Sequence, residues 1–258
     1  MKILLTRSAE QNQQLCAVIG AAISSTVGST SSSTFSPTAA EIISLPLLQT
    51  EALVPTEATK QCVLGLDKFD DIIFISRNAV RFSLDVLERY WPQWPIGLRW
   101  LAVGSGTAEA LARADVNAIY PPKASSEGLL AMSELSDITG RKCLIMRGEG
   151  GRETLKEGLE ARGAVVQYLE TYRRVPIPFA QKDLPDDEQV IALLYSGEAI
   201  THLVHDGGAQ VLNYYLIVPS ARLQGMANAL GFAKVEVANS QEDHAMLQVL
   251  QQMQRQMP

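Results

Sequence analysis

Six short apolar runs constrain this chain more than any other feature, each closed by a Ser, Gly or Arg turn and followed by a helical pattern. They are Ile3–Leu5, Ile72–Ile75, Trp100–Val103, Cys143–Met146, Val190–Tyr195 and Tyr215–Val218. Runs this short without polar alternation suit strands buried on both faces of a parallel sheet. Strands that alternate with helices build an α/β layer fold.

The runs also pair. Lys2-Ile3-Leu4-Leu5-Thr6-Arg7 overlays Lys142-Cys143-Leu144-Ile145-Met146-Arg147, and Leu15 then falls on Leu155 at the same offset. Ile75–Val80 overlays Tyr195–Ile200, and Leu101–Ser105 overlays Leu216–Ser220. The middle of the chain holds one full set of three, whereas the other set joins the amino-terminal strand to the last two. One domain therefore interrupts the other. The expectation is an α/β protein of two similar parallel-sheet α/β/α domains, Rossmann-like or flavodoxin-like, joined by a two-segment linker.

The spacing puts the discontinuous first domain at 1–43 plus 175–258, the inserted second domain at 48–170, and the crossing linkers at about 44–47 and 171–174. A chain of 258 residues suits two domains of roughly 100–130 residues each. Both domains are expected to end alike, since Ala118–Tyr120 leads through Ser125-Ser126-Glu127 into a helix and Val235–Val237 leads through Ser240-Gln241-Glu242 into another. Serine beside acidic residues is good N-cap chemistry. The Ser/Thr/Gly-rich stretch Ser24–Pro37 has few apolar anchors and is expected as a mobile insertion.

Composition narrows the functional classes. Hydrophobic residues make up 47% and charged residues 19% of the chain, an ordinary balance for a folded globular protein. A net charge of −6 with no Lys/Arg run argues against nucleic-acid partners, which require a basic face. Met1–Arg7 lacks a signal-peptide core, and nowhere do 18 apolar residues run together, so a cytoplasmic protein without a membrane partner is expected. Cys16, Cys62 and Cys143 form no C-x-x-C and are expected as buried, reduced thiols.

In open parallel sheets ligands bind outside the carboxyl ends of the strands, where helix starts favour negative charge. The paired turns all fall there. They supply small residues for close backbone approach (Gly104, Gly106, Gly148, Gly150, Gly197), hydroxyls (Ser76, Ser105, Ser126, Ser196, Ser220), the amide Asn78, and arginines (Arg7, Arg77, Arg147, Arg152) suited to carboxylate contact. A polyanionic small molecule held between the domains would use them all.

Other chemistries lack their signatures. Gly104-Ser105-Gly106-Thr107-Ala108-Glu109 starts like a dinucleotide fingerprint, but Glu109 replaces the third glycine, and Arg147–Thr154 lacks the Gly-Lys-Ser/Thr of a phosphate loop. His202, His205 and Asp206 have no Cys/His cluster beside them, and His244 is remote, so no metal is expected. No G-x-S-x-G elbow is present.

Against this background the chain resembles the uroporphyrinogen-III synthase family, bacterial type, along nearly its whole length. The resemblance is carried by Ile3-Leu4-Leu5-Thr6-Arg7, Phe74–Val80, Ala102-Val103-Gly104 before Thr107-Ala108, Gly140–Glu153 with Leu159–Ala164, Tyr168–Arg174, Ser196-Gly197-Glu198 and Val218–Leu223. It departs at residues 24–37, where family members run more directly from the first helix into the crossing strand.

The resemblance implies cyclisation of hydroxymethylbilane, a linear tetrapyrrole bearing eight carboxylates, to uroporphyrinogen III with loss of water and inversion of ring D. It implies a lyase of haem and related tetrapyrrole synthesis that uses no cofactor. The family's tyrosine falls on Tyr172, which becomes the expected catalytic acid or leaving-group positioner. A monomer is implied, with transient contact to the preceding pathway enzyme that makes the unstable substrate. Two alternatives stay open at the level of sequence: a non-catalytic sensor of a tetrapyrrole or other polycarboxylate, and a nucleotide-dependent oxidoreductase.

Overall fold

The computed structural model of the chain describes residues 1–25, 40–186 and 189–256. Most of the stretch expected as an insertion, from residue 26 onward, lies outside the described residues. In chain order the elements are β1 (Lys2–Leu5), α1 (Ala9–Ser25), β2 (Glu41–Ser44), β3 (Leu48–Ala52), α2 (Glu57–Leu64), β4 (Asp71–Phe74), α3 (Arg77–Leu87), β5 (Arg99–Ala102), α4 (Ser105–Ala112) and α5 (Ser126–Leu130). There follow β6 (Lys142–Gly148), α6 (Thr154–Glu160), β7 (Val165–Pro176), β8 (Val190–Leu193), α7 (Gly197–Gly207), β9 (Tyr215–Val218), α8 (Ala221–Ala229), β10 (Val235–Val237) and α9 (Asp243–Gln256).

The chain divides into two units, 1–49 with 175–258, and 50–174. In the first, a five-stranded sheet has the order β10-β9-β8-β1-β2; in the second the order is β3-β7-β6-β4-β5. Strand β1 runs parallel to both β2 and β8, and β6 runs parallel to both β4 and β7. Taken in chain order, the first sheet has the 2-1-3-4-5 arrangement of flavodoxin-like folds. The second has the same neighbours in circularly permuted order: β6 stands for β1, β7 for β2, β4 for β8 and β5 for β9. Residue Ile119 completes the likeness only as an isolated bridge to Leu101, where the first unit has the full strand β10.

The apolar runs behave as buried strands because both faces of each sheet are covered. In the first unit, Leu4, Ala192, Leu216 and Val218 pack on one side with α7 and α8 residues such as Ile200, Leu203 and Leu223. On the other side Ile3, Leu5, Ile191 and Ile217 pack with Leu15 of α1 and Met246 and Leu250 of α9. In the second unit, Ile72, Phe74, Leu144 and Met146 face Val80 and Leu87 of α3, while Ile73, Ile145 and Cys143 face Leu129, Leu155 and Leu159. Strand β7 is longer than the sequence suggests and runs through residues 171–174, which had been expected as linker.

The amino end of the second sheet carries a polar anchor. Asp71, fully buried, accepts from Arg99 Nε at 2.5 Å and from Arg141 Nε at 2.8 Å. Two arginines compensate a carboxylate that burial alone would penalise. Cys62 and Cys143 are buried thiols pushed up to about 11 and about 12, chiefly by desolvation, whereas Cys16 is only partly buried against the core that holds Leu15 and Met246. Among the described residues, no helix is long and apolar enough to cross a membrane.

Candidate active site

In flavodoxin-like sheets, ligands sit at the carboxyl ends of the two strands where the winding reverses. In the second unit those strands are β6 and β4, and in the first unit β1 and β8. The turns that leave them are the duplicated turns found in the sequence.

In the second unit, Ser76 is the N-cap of α3: its backbone is extended and its Oγ accepts from Ala79 N at 2.9 Å. Arg77 and Asn78 occupy the first turn of this helix, which carries no acidic residue. Arg77 is exposed, and its Cδ lies beside Gly106, 4.0 Å from where a β-carbon there would be. Ser105 and Gly106 open α4, whose N-cap is Gly104 without a side-chain cap. A β-carbon at Gly104 would stand 2.5 Å from that of Ala124, so this glycine admits the 121–125 segment. That segment caps α5 with Ser125, which accepts from Gly128 N at 2.9 Å; Ser126 is the first helical residue and makes no cap. Beyond it Glu127 meets Arg152 at 3.3 Å on the surface.

Tyr172 is 3% exposed and packs with the α3 side of the sheet. Strict alternation along β7 would send it the other way, because Tyr168 and Val166 face the opposite core. A β-bulge reverses the phase: Arg147 pairs with Glu170, but Gly148 pairs with Tyr172. The extra residue, Thr171, joins its hydroxyl to Ser83 at 3.1 Å, and Tyr172 stacks on Phe82 with ring centroids 5.3 Å apart. The Tyr172 hydroxyl reaches Ser76 Oγ at 3.0 Å. Bulges commonly re-aim side chains beside active sites in this way.

Arg147 is turned into its own unit, with only 2% exposure. Its Nε donates to the Gly148 carbonyl at 3.2 Å, Nη1 to Glu153 at 3.1 Å and Nη2 to the Gly150 carbonyl, while the guanidinium lies 4.3 Å over the Tyr168 ring. The Tyr168 hydroxyl in turn donates to Glu153 at 2.7 Å. The Glu153 carboxyl is held below its ordinary range, first by Tyr168 and then by Arg147. This clamp folds the glycine turn, in which Gly150 and Gly151 adopt φ of 72° and 104°, a region that disfavours any β-carbon. Neither Tyr168 nor Glu153 stands out in sequence as a site residue; their pairing across 15 residues becomes visible only when β7 lies beside β6.

The first unit has its own version. Arg7 pairs with Asp243 of α9 at 2.7 Å and lies 4.4 Å over the ring of Tyr195. Burial pushes the Tyr195 hydroxyl up to about 12, and it has no hydrogen-bond partner among the described residues. Ser196 caps α7 by accepting from Ala199 N at 3.2 Å, and Ser220 caps α8 by accepting from Leu223 N at 3.4 Å. Gly197 leaves room for Met226, whose Sδ would be 2.8 Å from a β-carbon there. His202, considered for metal, instead sets Nε2 against the Ile177 carbonyl at 2.9 Å and Nδ1 near Asp206 at 3.5 Å.

The candidate residues therefore fall into two sets, one on each unit, both at the carboxyl end of a sheet. These features define a two-domain α/β protein with duplicated strand-end turns of serine, glycine and arginine. The family model of Uroporphyrinogen-III synthase HemD matches residues 30–248. The chain belongs to the uroporphyrinogen-III synthase family, and with it to the cyclising hydro-lyases of tetrapyrrole biosynthesis.

Curated relatives agree. The chain is 33% identical over 229 residues to the uroporphyrinogen-III synthase of Salmonella typhimurium, across 81% of this chain and 89% of that protein. It is 30% identical over 216 residues to that of Escherichia coli, across 77% and 84%. Its fold is similar to a solved mutant uroporphyrinogen III synthase of Thermus thermophilus, with a TM-score of 0.61 at 14% identity and full coverage of both chains. The Helicobacter pylori enzyme gives the same TM-score and identity over 86% of this chain and 96% of that one.

Proposed function

We propose that this enzyme closes hydroxymethylbilane to uroporphyrinogen III, with loss of water and inversion of ring D, and that Tyr172 assists departure of the hydroxyl. The observation that carries the role of Tyr172 is its 3.0 Å contact with Ser76 Oγ at the carboxyl end of the sheet. Ser76 Oγ already accepts from Ala79 N. The two hydroxyls bring two protons to the contact and spend one on each other. Whichever of them donates, one O–H stays free to donate to the leaving hydroxyl.

The substrate closes unaided to the type I isomer, so the enzyme's work is to promote hydroxyl loss and to hold the chain where a spiro intermediate forms at the substituted carbon. Proton donation from the Tyr172–Ser76 pair serves the first, and orientation the second. Arg77, Asn78, Ser105, Gly106, Ser126, Gly150 and Arg152 on the second unit, and Arg7, Ser196, Gly197 and Ser220 on the first, are the proposed carboxylate ligands. No cofactor or metal is needed, because carboxylate recognition is met by distributed N–H, hydroxyl and guanidinium donors. The enzyme is proposed to act as a cytoplasmic monomer that takes its substrate by transient contact with the preceding enzyme.

Tyr172→Phe tests the assignment of the acid. It should preserve the fold while lowering kcat at least severalfold, on the order of the 10²-fold scale of a lost proton donor; unchanged kinetics would remove Tyr172 from the mechanism.

A further inference from the structure

We infer that Gly148, held in place by the Arg147–Glu153–Tyr168 clamp, is the positioning residue that fixes where the Tyr172 hydroxyl points; this rests on the role proposed above for Tyr172. A β-carbon at residue 148 would lie 2.6 Å from Cε2, 2.7 Å from Cζ and 3.1 Å from Cδ2 of the Tyr172 ring. Carbon atoms pack at about 3.5–4.0 Å, so any side chain there forces the ring to move by roughly 1 Å. The bare backbone of Gly148 is thus the surface against which Tyr172 rests.

The ring has little freedom to yield. Phe82 stacks on it, its hydroxyl is tied to Ser76, and its own carbonyl accepts from Glu149 N at 2.8 Å. On the other side, Gly148 is gripped by its neighbour: Arg147 Nε donates to the Gly148 carbonyl and Nη2 to the Gly150 carbonyl. Tyr168 and Glu153 in turn hold the guanidinium. The clamp explains why a guanidinium at the end of a site strand is spent on its own loop. Gly148 and Arg147 thereby act through Tyr172, by placing it.

A double-mutant cycle tests this on the full-length enzyme. Gly148→Ala should lower kcat by about 10- to 100-fold with KM changed less than about twofold, the scale expected when a reacting group is misplaced by an ångström. In the Tyr172→Phe background the same ring is displaced but no hydroxyl remains to be misplaced, so the cost of Gly148→Ala should fall to about twofold or less. An equal cost in both backgrounds, or no cost in the first, would overturn the inference and leave the role of Tyr172 standing. A Tyr172→Phe enzyme with unimpaired kcat would remove both.

Tyr168→Phe supplies a milder route, because it deletes only the hydroxyl that ties Glu153 and leaves the ring under Arg147. It should lower kcat a few-fold in the native background and have no effect beside Tyr172→Phe, about the weight of one hydrogen bond. The same loss in both backgrounds would contradict the clamp's role even if Gly148→Ala failed to fold.

Discussion

The Tyr172 hydroxyl and Ser76 Oγ meet at 3.0 Å, although the residues are 96 positions apart and one lies in a strand while the other caps a helix. Ser76 therefore has two tasks, capping α3 and orienting the tyrosine. Ser76→Ala should cost about 1 kcal/mol of stability for the lost cap and also lower kcat. Ser76→Thr keeps a hydroxyl at the cap and should restore much of the stability. Denaturant midpoints and kcat, measured on both variants, separate the two tasks; a Ser76→Ala enzyme with native kcat would show that Ser76 only caps.

The arginines divide by their surroundings. Arg77 is exposed at the start of α3, whereas Arg147 is buried and spends its donors on Gly148, Gly150 and Glu153. Arg77→Ala should raise KM several-fold with little change in kcat, the mark of lost ground-state binding. Arg147→Lys cannot reproduce the forked donors and should lower kcat and thermal stability instead. The reverse pattern in steady-state kinetics would return Arg147 to the substrate carboxylates.

Much of this arrangement is legible in the sequence because it is written in strands buried on both faces. The pairs β1 with β6, β4 with β8 and β5 with β9 appear as uninterrupted apolar runs, and Ser76, Ser196 and Ser220 announce the helices they cap. The bulge at Thr171 leaves no such mark, since it consists of a changed pairing partner. Residues 171–174 therefore read as a linker, whereas they continue strand β7. Ser125 and Ser126 are adjacent and equally good caps, so sequence cannot choose between them. The clamps around Arg7 and Arg147 need Asp243, Tyr195, Glu153 and Tyr168, which only tertiary packing brings near.

The clamp also has a pH signature. Glu153 is depressed below its ordinary 4.5, chiefly by the Tyr168 hydroxyl. A depressed carboxyl contributes stability that is present above the unfolded value and is lost as pH falls through the lower folded one. The melting temperature of the native enzyme should exceed that of Glu153→Gln at neutral pH, and the gap should close as pH drops below about 4.5. The gap will be modest, because Glu153 is half exposed and screened. A gap that stays constant with pH would mean that the charge of Glu153 contributes nothing.

The most direct test of the whole account is incubation with freshly generated hydroxymethylbilane, followed by oxidation and chromatographic separation of the porphyrin isomers. The enzyme should turn the product from type I, which forms in buffer alone, to predominantly type III, and Tyr172→Phe should slow that change. Type I product alone, at an enzyme concentration sufficient for a full turnover, would contradict it.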